Sequence, residues 1–157
     1  MTQTTYTRRA TTAETARRIK KELKARWPGI KFSVTSEGNG YYDAVNVRWI
    51  DGPADKLVDE MIGRYQGGYF DGMIDLYTHT DDLVEYGVRW DVKYVHTDRD
   101  PSPDVWERFQ SLTREKFGND PAIHDLDYRS KARRSFYHWD ATTTPLPETW
   151  EELPAEY

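Results

Sequence analysis

The chain has 157 residues, the size of one domain, and 14% of them are aromatic, so a core rich in Trp, Tyr and Phe is expected. It contains no cysteine, which excludes disulfides, thiolate metal sites and cysteine nucleophiles. The formal net charge is −5, yet residues 1–31 hold nine Lys or Arg against two acidic residues, so a basic first segment precedes an acidic remainder.

The first third of the chain predicts a helix followed by two strands. After a polar segment, residues 1–10, that we expect to be flexible, apolar residues at helical spacing predict a helix over about 12–26, which a Pro-Gly pair ends. Alternating apolar and polar residues then predict strands over about 30–36 and 41–50. The short glycine-containing turn between these strands predicts an antiparallel hairpin.

The remainder of the chain adds further helix and strand signals. Five segments follow, with these predicted bounds: a helix over about 53–66, a strand or a loop over 69–86, a strand over about 87–96, a helix over about 103–117 and a loop over 119–129. The order α-β-β-α-(β)-β-α predicts an α+β fold with a small, mainly antiparallel sheet and helices packed on one face. We expect a single domain over residues 11–140 and an acidic, Pro-rich tail over residues 141–157.

Three motifs follow one another between the end of the first helix and residue 77. They are Trp27-Pro28-Gly29 with Lys31-Phe32-Ser33-Val34, Val47 and Trp49 with Asp51-Gly52-Pro53, and Gly67-Gly68-Tyr69-Phe70-Asp71-Gly72-Met73 with Asp75. Together with Val92-Lys93-Tyr94-Val95, Arg99 and Ser102, this pattern resembles large polyvalent protein-associated domain 29, a family found in proteins of phages and mobile elements. The resemblance implies an accessory role, without a known activity or catalytic residues, and it does not extend to the acidic tail.

Two constellations suggest ligand chemistry, and each has a simpler structural explanation. Asp71, Asp75 and His79 would share one face of a helix and could hold a divalent cation there, but the neighbouring glycines argue against a helix. The glycines of residues 67–72 could cradle a phosphate through backbone N–H groups, but the segment lacks the P-loop lysine pattern, and a helix end with close backbone packing is the simpler explanation. We therefore assign no catalytic, cofactor-binding or metal-binding residues.

Two basic clusters are candidates for contact with a macromolecule. The candidate residues are Arg17, Lys20, Lys21 and Lys24 in the first helix, and Arg129, Lys131, Arg133, Arg134, Tyr137 and Trp139 nearer the C-terminus. Basic residues beside aromatic ones suit nucleic acid or a protein interface. The simpler explanation is charge complementarity with acidic residues within the fold or in a dimer. Strand aromatics such as Trp49 and Tyr94 could stack on bases only if one face of the sheet is open.

These observations favour a non-enzymatic accessory protein that binds a host or phage macromolecule. A protein is the favoured partner, and interference with host nucleic-acid handling or defence is one role that such binding could serve. The alternatives are a nucleic-acid-binding domain that uses both basic clusters, a homo-oligomer, and a metal-dependent hydrolase built on Asp71, Asp75 and His79. No cofactor is expected. Because the chain has no long apolar run, we expect no membrane association and a cytoplasmic location, in the host cell if a phage encodes it.

The motif residues around the second helix are expected to be structural. Asp51 and Asp71 would accept hydrogen bonds from turn amides and bind no ligand. Phe70 would be buried, with the neighbouring glycines allowing its backbone to approach the sheet closely.

Overall fold

The computed structural model describes residues 7–39, 41–71, 73, 76–79, 83–118 and 125–154. The elements are β1 (Arg8–Arg9), α1 (Thr12–Arg26), β2 (Ser33–Gly38), β3 (Asp43–Ile50), α2 (Asp55–Ile62), β4 (Gly68–Asp71), β5 (Leu76–His79), β6 (Val84–Glu85), β7 (Val88–Arg89), β8 (Tyr94–Asp100), α3 (Pro103–Phe117) and α4 (Asp125–His138), with 3-10 turns at Gly63–Tyr65 and Trp150–Glu152. The predicted α+β class is confirmed, although the strands form three small sheets.

The chain divides into two compact units. The first unit contains residues 1–49 and 58–98, and the second contains residues 50–57 and 99–157. Within the first unit, strand β1 pairs in parallel with β7, and Ala10 is buried.

The core of the first unit lies between α1 and the sheet of β2, β3 and β8. Helix α1 begins with the predicted capping box, in which the Thr11 hydroxyl accepts from the backbone N–H of Glu14 at 3.1 Å. Its apolar stripe is buried with the inward side chains of β2 and β3. The buried core residues are Ala16, Ile19, Leu23, Trp27, Phe32, Val45, Val47, Trp49, Val58, Ile62, Tyr65 and Val92. The predicted antiparallel hairpin is confirmed, with Ser33 opposite Arg48.

The strand predicted over 87–96 is wrong as a continuous element. It is divided into β7 and β8, and the residues between them depart from regular pairing because the Asp91 carboxylate turns inward and is buried. Arg89 holds that carboxylate with a 2.9 Å and a 3.0 Å hydrogen bond, and Arg9 adds one of 3.1 Å. This ion-pair cluster fixes β1 beside β7. Residues 68–71 and 76–79, which the sequence left open between strand and loop, form an antiparallel pair.

The second unit is built on α3 and α4. Helix α3 has the predicted bounds, and it ends at Gly118, whose φ of 63° is in the left-handed region that favours glycine. The loop predicted over 119–129 is wrong from Asp125 onwards, because α4 begins there; residues 119–124 lie outside the described residues. Apolar residues of α3, α4 and the tail share one core: Val105, Phe109, Leu112, Ala132, Phe136, Trp139 and Leu153.

Candidate macromolecule-binding surface

Helix α1 presents a continuous stripe of four basic side chains to solvent. Arg17, Lys20, Lys21 and Lys24 are all exposed, and their spacing of i, i+3, i+4 and i+7 places them on one face of the helix. We call this set the basic stripe. The opposite face of α1 is held in the core, so the orientation of the stripe follows directly from burial of the apolar stripe.

No acidic side chain in the described part of the chain pairs with the basic stripe. The two acidic residues of α1 are used elsewhere. The carboxylate of Glu14 accepts from the Thr11 N–H at 2.8 Å and from Arg8 at 3.1 Å, and these bonds lower the pKa of Glu14. Glu22 accepts from Arg64 at 2.6 Å and from the phenol of Tyr65 at 2.7 Å. Burial is the main cause, and the hydrogen bond to Glu22 the second, of a rise in the pKa of Tyr65 to about 12. The phenol therefore remains a donor at neutral pH.

A shallow open groove lies beside the stripe, with a volume of about 620 Å³. Arg17 and Lys21 line it together with Trp90. The guanidinium carbon of Arg18 lies 4.6 Å from the centroid of the Trp90 ring, and Arg18 is itself paired with Glu85. One face of the indole is therefore already covered. The Arg18–Trp90 pair could not be predicted from the sequence, because the two residues are far apart in the chain.

Helix α4 directs the residues of the second predicted basic cluster into different environments. Arg129 and Arg134 are exposed on the helix. The Lys131 ammonium lies 4.5 Å from the Phe117 ring centroid, and Arg133 donates to the backbone carbonyl of Arg99 at 3.0 Å. Trp139 does not belong to a binding surface, because it is buried in the core of the second unit and its indole N–H donates to the Pro145 carbonyl at 3.1 Å.

The aromatic residues of the β2–β3–β8 sheet are divided between its two faces. Phe32 and Trp49 are buried in the core and cannot stack on a ligand. Tyr94 is half-buried beside Tyr42 and His96, with ring centroids 5.3 Å and 5.7 Å away respectively. The Tyr42 hydroxyl and His96 Nε2 are 3.1 Å apart, so a hydrogen bond joins two members of this small aromatic group.

Two residues of the candidate metal site lie at opposite ends of one strand pair. Asp71 pairs with Leu76 and His79 pairs with Gly68 across the β4–β5 ladder, so the two residues lie at opposite ends, about 10 Å apart along the strands. Asp75 lies outside the described residues. No group of three His, Asp or Glu that could hold a metal occurs in the described part of the chain.

Gly67, the first residue of the Gly67-Gly68 pair, is packed closely against Asp91. A Cβ atom at this position would lie 2.6 Å from the Asp91 Oδ2 atom. The space next to this glycine therefore already contains a carboxylate, which would repel a phosphate.

The residues around Asp51 form a network of hydrogen bonds in the second unit. All five N–H donors of buried Arg99 form hydrogen bonds. The acceptors are the carbonyls of Asp51 (2.5 Å), Gly52 (3.2 Å), Phe136 (2.9 Å) and Trp139 (2.8 Å), and the carboxylate of Asp55 (3.2 Å). Burial lowers the pKa of the Arg99 guanidinium, and Asp55 opposes that shift.

The expected structural role of Asp51 is confirmed. Its carboxylate accepts from the backbone N–H of Ser102 at 2.8 Å, immediately before α3. The structure describes the backbone of Phe70 and Asp71 but not their side chains, so the roles expected for these side chains stay predictions. The motif residues whose contacts are described thus stabilise the fold, and the exposed chemistry of the chain lies elsewhere, on α1.

No described helix combines the length and apolar character needed to cross a membrane. No curated protein and no solved structure matches the chain. A family model does match, over residues 10–102, which is more than half of the sequence and includes α1 and the motifs described above. The chain therefore belongs to the family described as large polyvalent protein associated domain 29.

Proposed function

We propose that the chain is a non-enzymatic accessory protein of a phage or mobile element, and that it acts by binding a macromolecule through the basic stripe of α1. The observation that carries this proposal is the grouping of Arg17, Lys20, Lys21 and Lys24 on one exposed face, without acidic partners in the described residues. Family membership supports an accessory role, and the surface supports a binding role.

The stripe is difficult to explain by stability alone. Its four members make four like-charge pairs at i,i+3 or i,i+4 spacing, and each such pair costs about 0.2–0.5 kcal/mol, or roughly 1–2 kcal/mol in all. Only Lys24, in the last turn, gains from the negative end of the helix dipole. A surface that destabilises its own helix is expected where a partner supplies the compensating negative charge.

A protein is the alternative to nucleic acid as the partner, and two exposed tyrosines are the observation that favours a protein. Tyr41 is 90% exposed and Tyr86 is fully exposed. Tyr86 also has a φ of 53° at the tip of the β6–β7 hairpin, a costly conformation for a bulky residue that makes no buried contact. Exposed tyrosines are frequent anchors of protein interfaces. A host or phage protein, or a second copy of this chain, could bury either of these two rings.

A pull-down from host lysate at physiological salt tests the proposed function. The tagged full chain is compared with a K20E/K21E variant and with an R129E/R134E variant, which changes the net charge equally on α4. Each capture is performed with and without nuclease. The proposal predicts material that the wild type and the α4 variant retain and that the α1 variant loses. Equal retention by all three folded proteins, or no retention by any, would contradict it.

A further inference from the structure

The chemistry of the basic stripe points to one class of partner. Resting on the proposed function, we propose that the stripe binds the phosphate backbone of duplex nucleic acid without reading its sequence. Three of the four residues are lysines, whose ammonium groups are compact point charges suited to phosphates. Lysine is depleted in protein–protein interfaces, whereas it is a principal phosphate contact in nucleic-acid complexes.

The length of the stripe corresponds to a short stretch of duplex. From Arg17 to Lys24 the helix rises about 10 Å, because each residue adds 1.5 Å. One strand of B-DNA advances about 3.4 Å along its axis per phosphate, so the stripe spans the axial rise of about three base steps. Because the phosphates also wind around the duplex, the four cations must spread to reach successive phosphates, which the flexible stems of the three lysines allow.

The surroundings of the stripe favour the backbone over the bases. Its exposed neighbours on α1 include Ala13 and Ala25, which are small and carry no group that could read a base edge. Single-stranded nucleic acid is held mainly by stacking on free aromatic rings. Trp90, the ring that lines the adjacent groove, is already covered by Arg18. These two features favour a duplex.

The acidic net charge of the chain does not oppose this binding. The first unit, which contains α1, has thirteen basic and thirteen acidic residues in its sequence, so it is neutral apart from its local charge pattern. The excess of acidic residues belongs to the sequence of the second unit. At distances beyond the Debye length, about 8 Å at physiological salt, exposed charges are largely screened, and the local stripe dominates contact with a phosphate.

Fluorescence anisotropy of the full chain with a short labelled duplex, measured at several salt concentrations, tests the inference. Four phosphate contacts predict a slope of log affinity against log salt of about −3.6, and a loss on the order of 100-fold between about 50 and 200 mM salt. K20Q/K21Q should reduce the slope to about −1.8, since two contacts are removed. R129Q/R134Q, with the same change of net charge, should retain the wild-type slope.

Three outcomes would overturn the inference, once circular dichroism shows that all proteins are folded. They are the absence of duplex binding at low salt, an equal loss in the α1 and α4 variants, and tighter binding to the matching single strand. If the duplex does not bind while lysate capture still depends on Lys20 and Lys21 after nuclease treatment, the inference fails and the proposed function stands, with an acidic protein as the partner.

Discussion

At the scale of single residues, one member of the family motifs, Arg99, is a buried charge. Arg99 has no exposed side-chain surface, and its five donors satisfy four backbone carbonyls and one carboxylate in the second unit. Two of these carbonyls, those of Phe136 and Trp139, lie at the C-terminal end of α4, where a cation also complements the helix dipole. From the sequence, Arg99 is only one charged residue in a strand, because nothing local indicates which arginine will be buried.

Arg99→Lys should lower the free energy of unfolding by about 3–5 kcal/mol, because lysine has three donors on a flexible stem and leaves buried carbonyls unsatisfied. Urea denaturation followed by circular dichroism measures the loss. Asp55→Asn is the control, since it keeps an acceptor oxygen and the four carbonyl bonds, and it should cost clearly less. If Arg99→Lys matches the wild type, the network is not what stabilises this unit.

Gly67 and Gly63 form a matched pair of sites for the same small change. At Gly67 an added methyl group would meet the Asp91 carboxylate, which cannot move without breaking its bonds to Arg9 and Arg89. Gly67→Ala should therefore cost about 1–3 kcal/mol of unfolding free energy, as overpacking does. At Gly63 nothing lies within 4 Å, so Gly63→Ala should be neutral or slightly stabilising. Equal melting temperatures for the two variants would refute the close-packing explanation.

At the scale of elements, periodic patterns were predictive where one face of an element is buried. The spacing of Ile19 and Leu23 identified α1, and the same spacing placed the basic stripe on its exposed face. In α4 the stripe of Tyr128, Ala132 and Phe136 has the same period, but basic residues and serines separate its members, so the pattern was interpreted as a basic cluster that follows a loop over 119–129. Alternation over 87–96 was misleading, because the inward turn of Asp91 depends on arginines elsewhere in the chain.

Neutralising the basic stripe should stabilise α1. K20Q/K21Q removes all four of its like-charge pairs and leaves Arg17 and Lys24 seven residues apart. We therefore expect a gain in unfolding free energy of about 1 kcal/mol at low salt. The gain should shrink as salt rises, because screening weakens the repulsion in the wild type. Thermal melts of both proteins across a salt series measure it. A variant that is less stable than the wild type at low salt would indicate that these lysines have structural partners.

At the scale of the whole molecule, the fold class and the family followed from sequence, whereas the grouping of residues 50–57 with residues 99–157 has no counterpart in the sequence pattern. Such a grouping depends on long-range packing, for which a single sequence has no local signal. The basic stripe, in contrast, could be predicted from the sequence. Once the apolar spacing shows which face of the helix is buried, the basic residues at helical spacing can be assigned to the exposed face.

The basic face of α1 is the proposed docking site for the phosphate backbone of duplex nucleic acid. The most direct test is a titration of the ¹⁵N-labelled full chain with a short unlabelled duplex, followed by amide chemical shifts at low salt. We expect shifts concentrated over residues 13–27, with the amides of α3 and α4 unchanged and with the shifts reversed by added salt. Shifts concentrated on α4 around Arg129 and Arg134, or no shifts on α1, would contradict it.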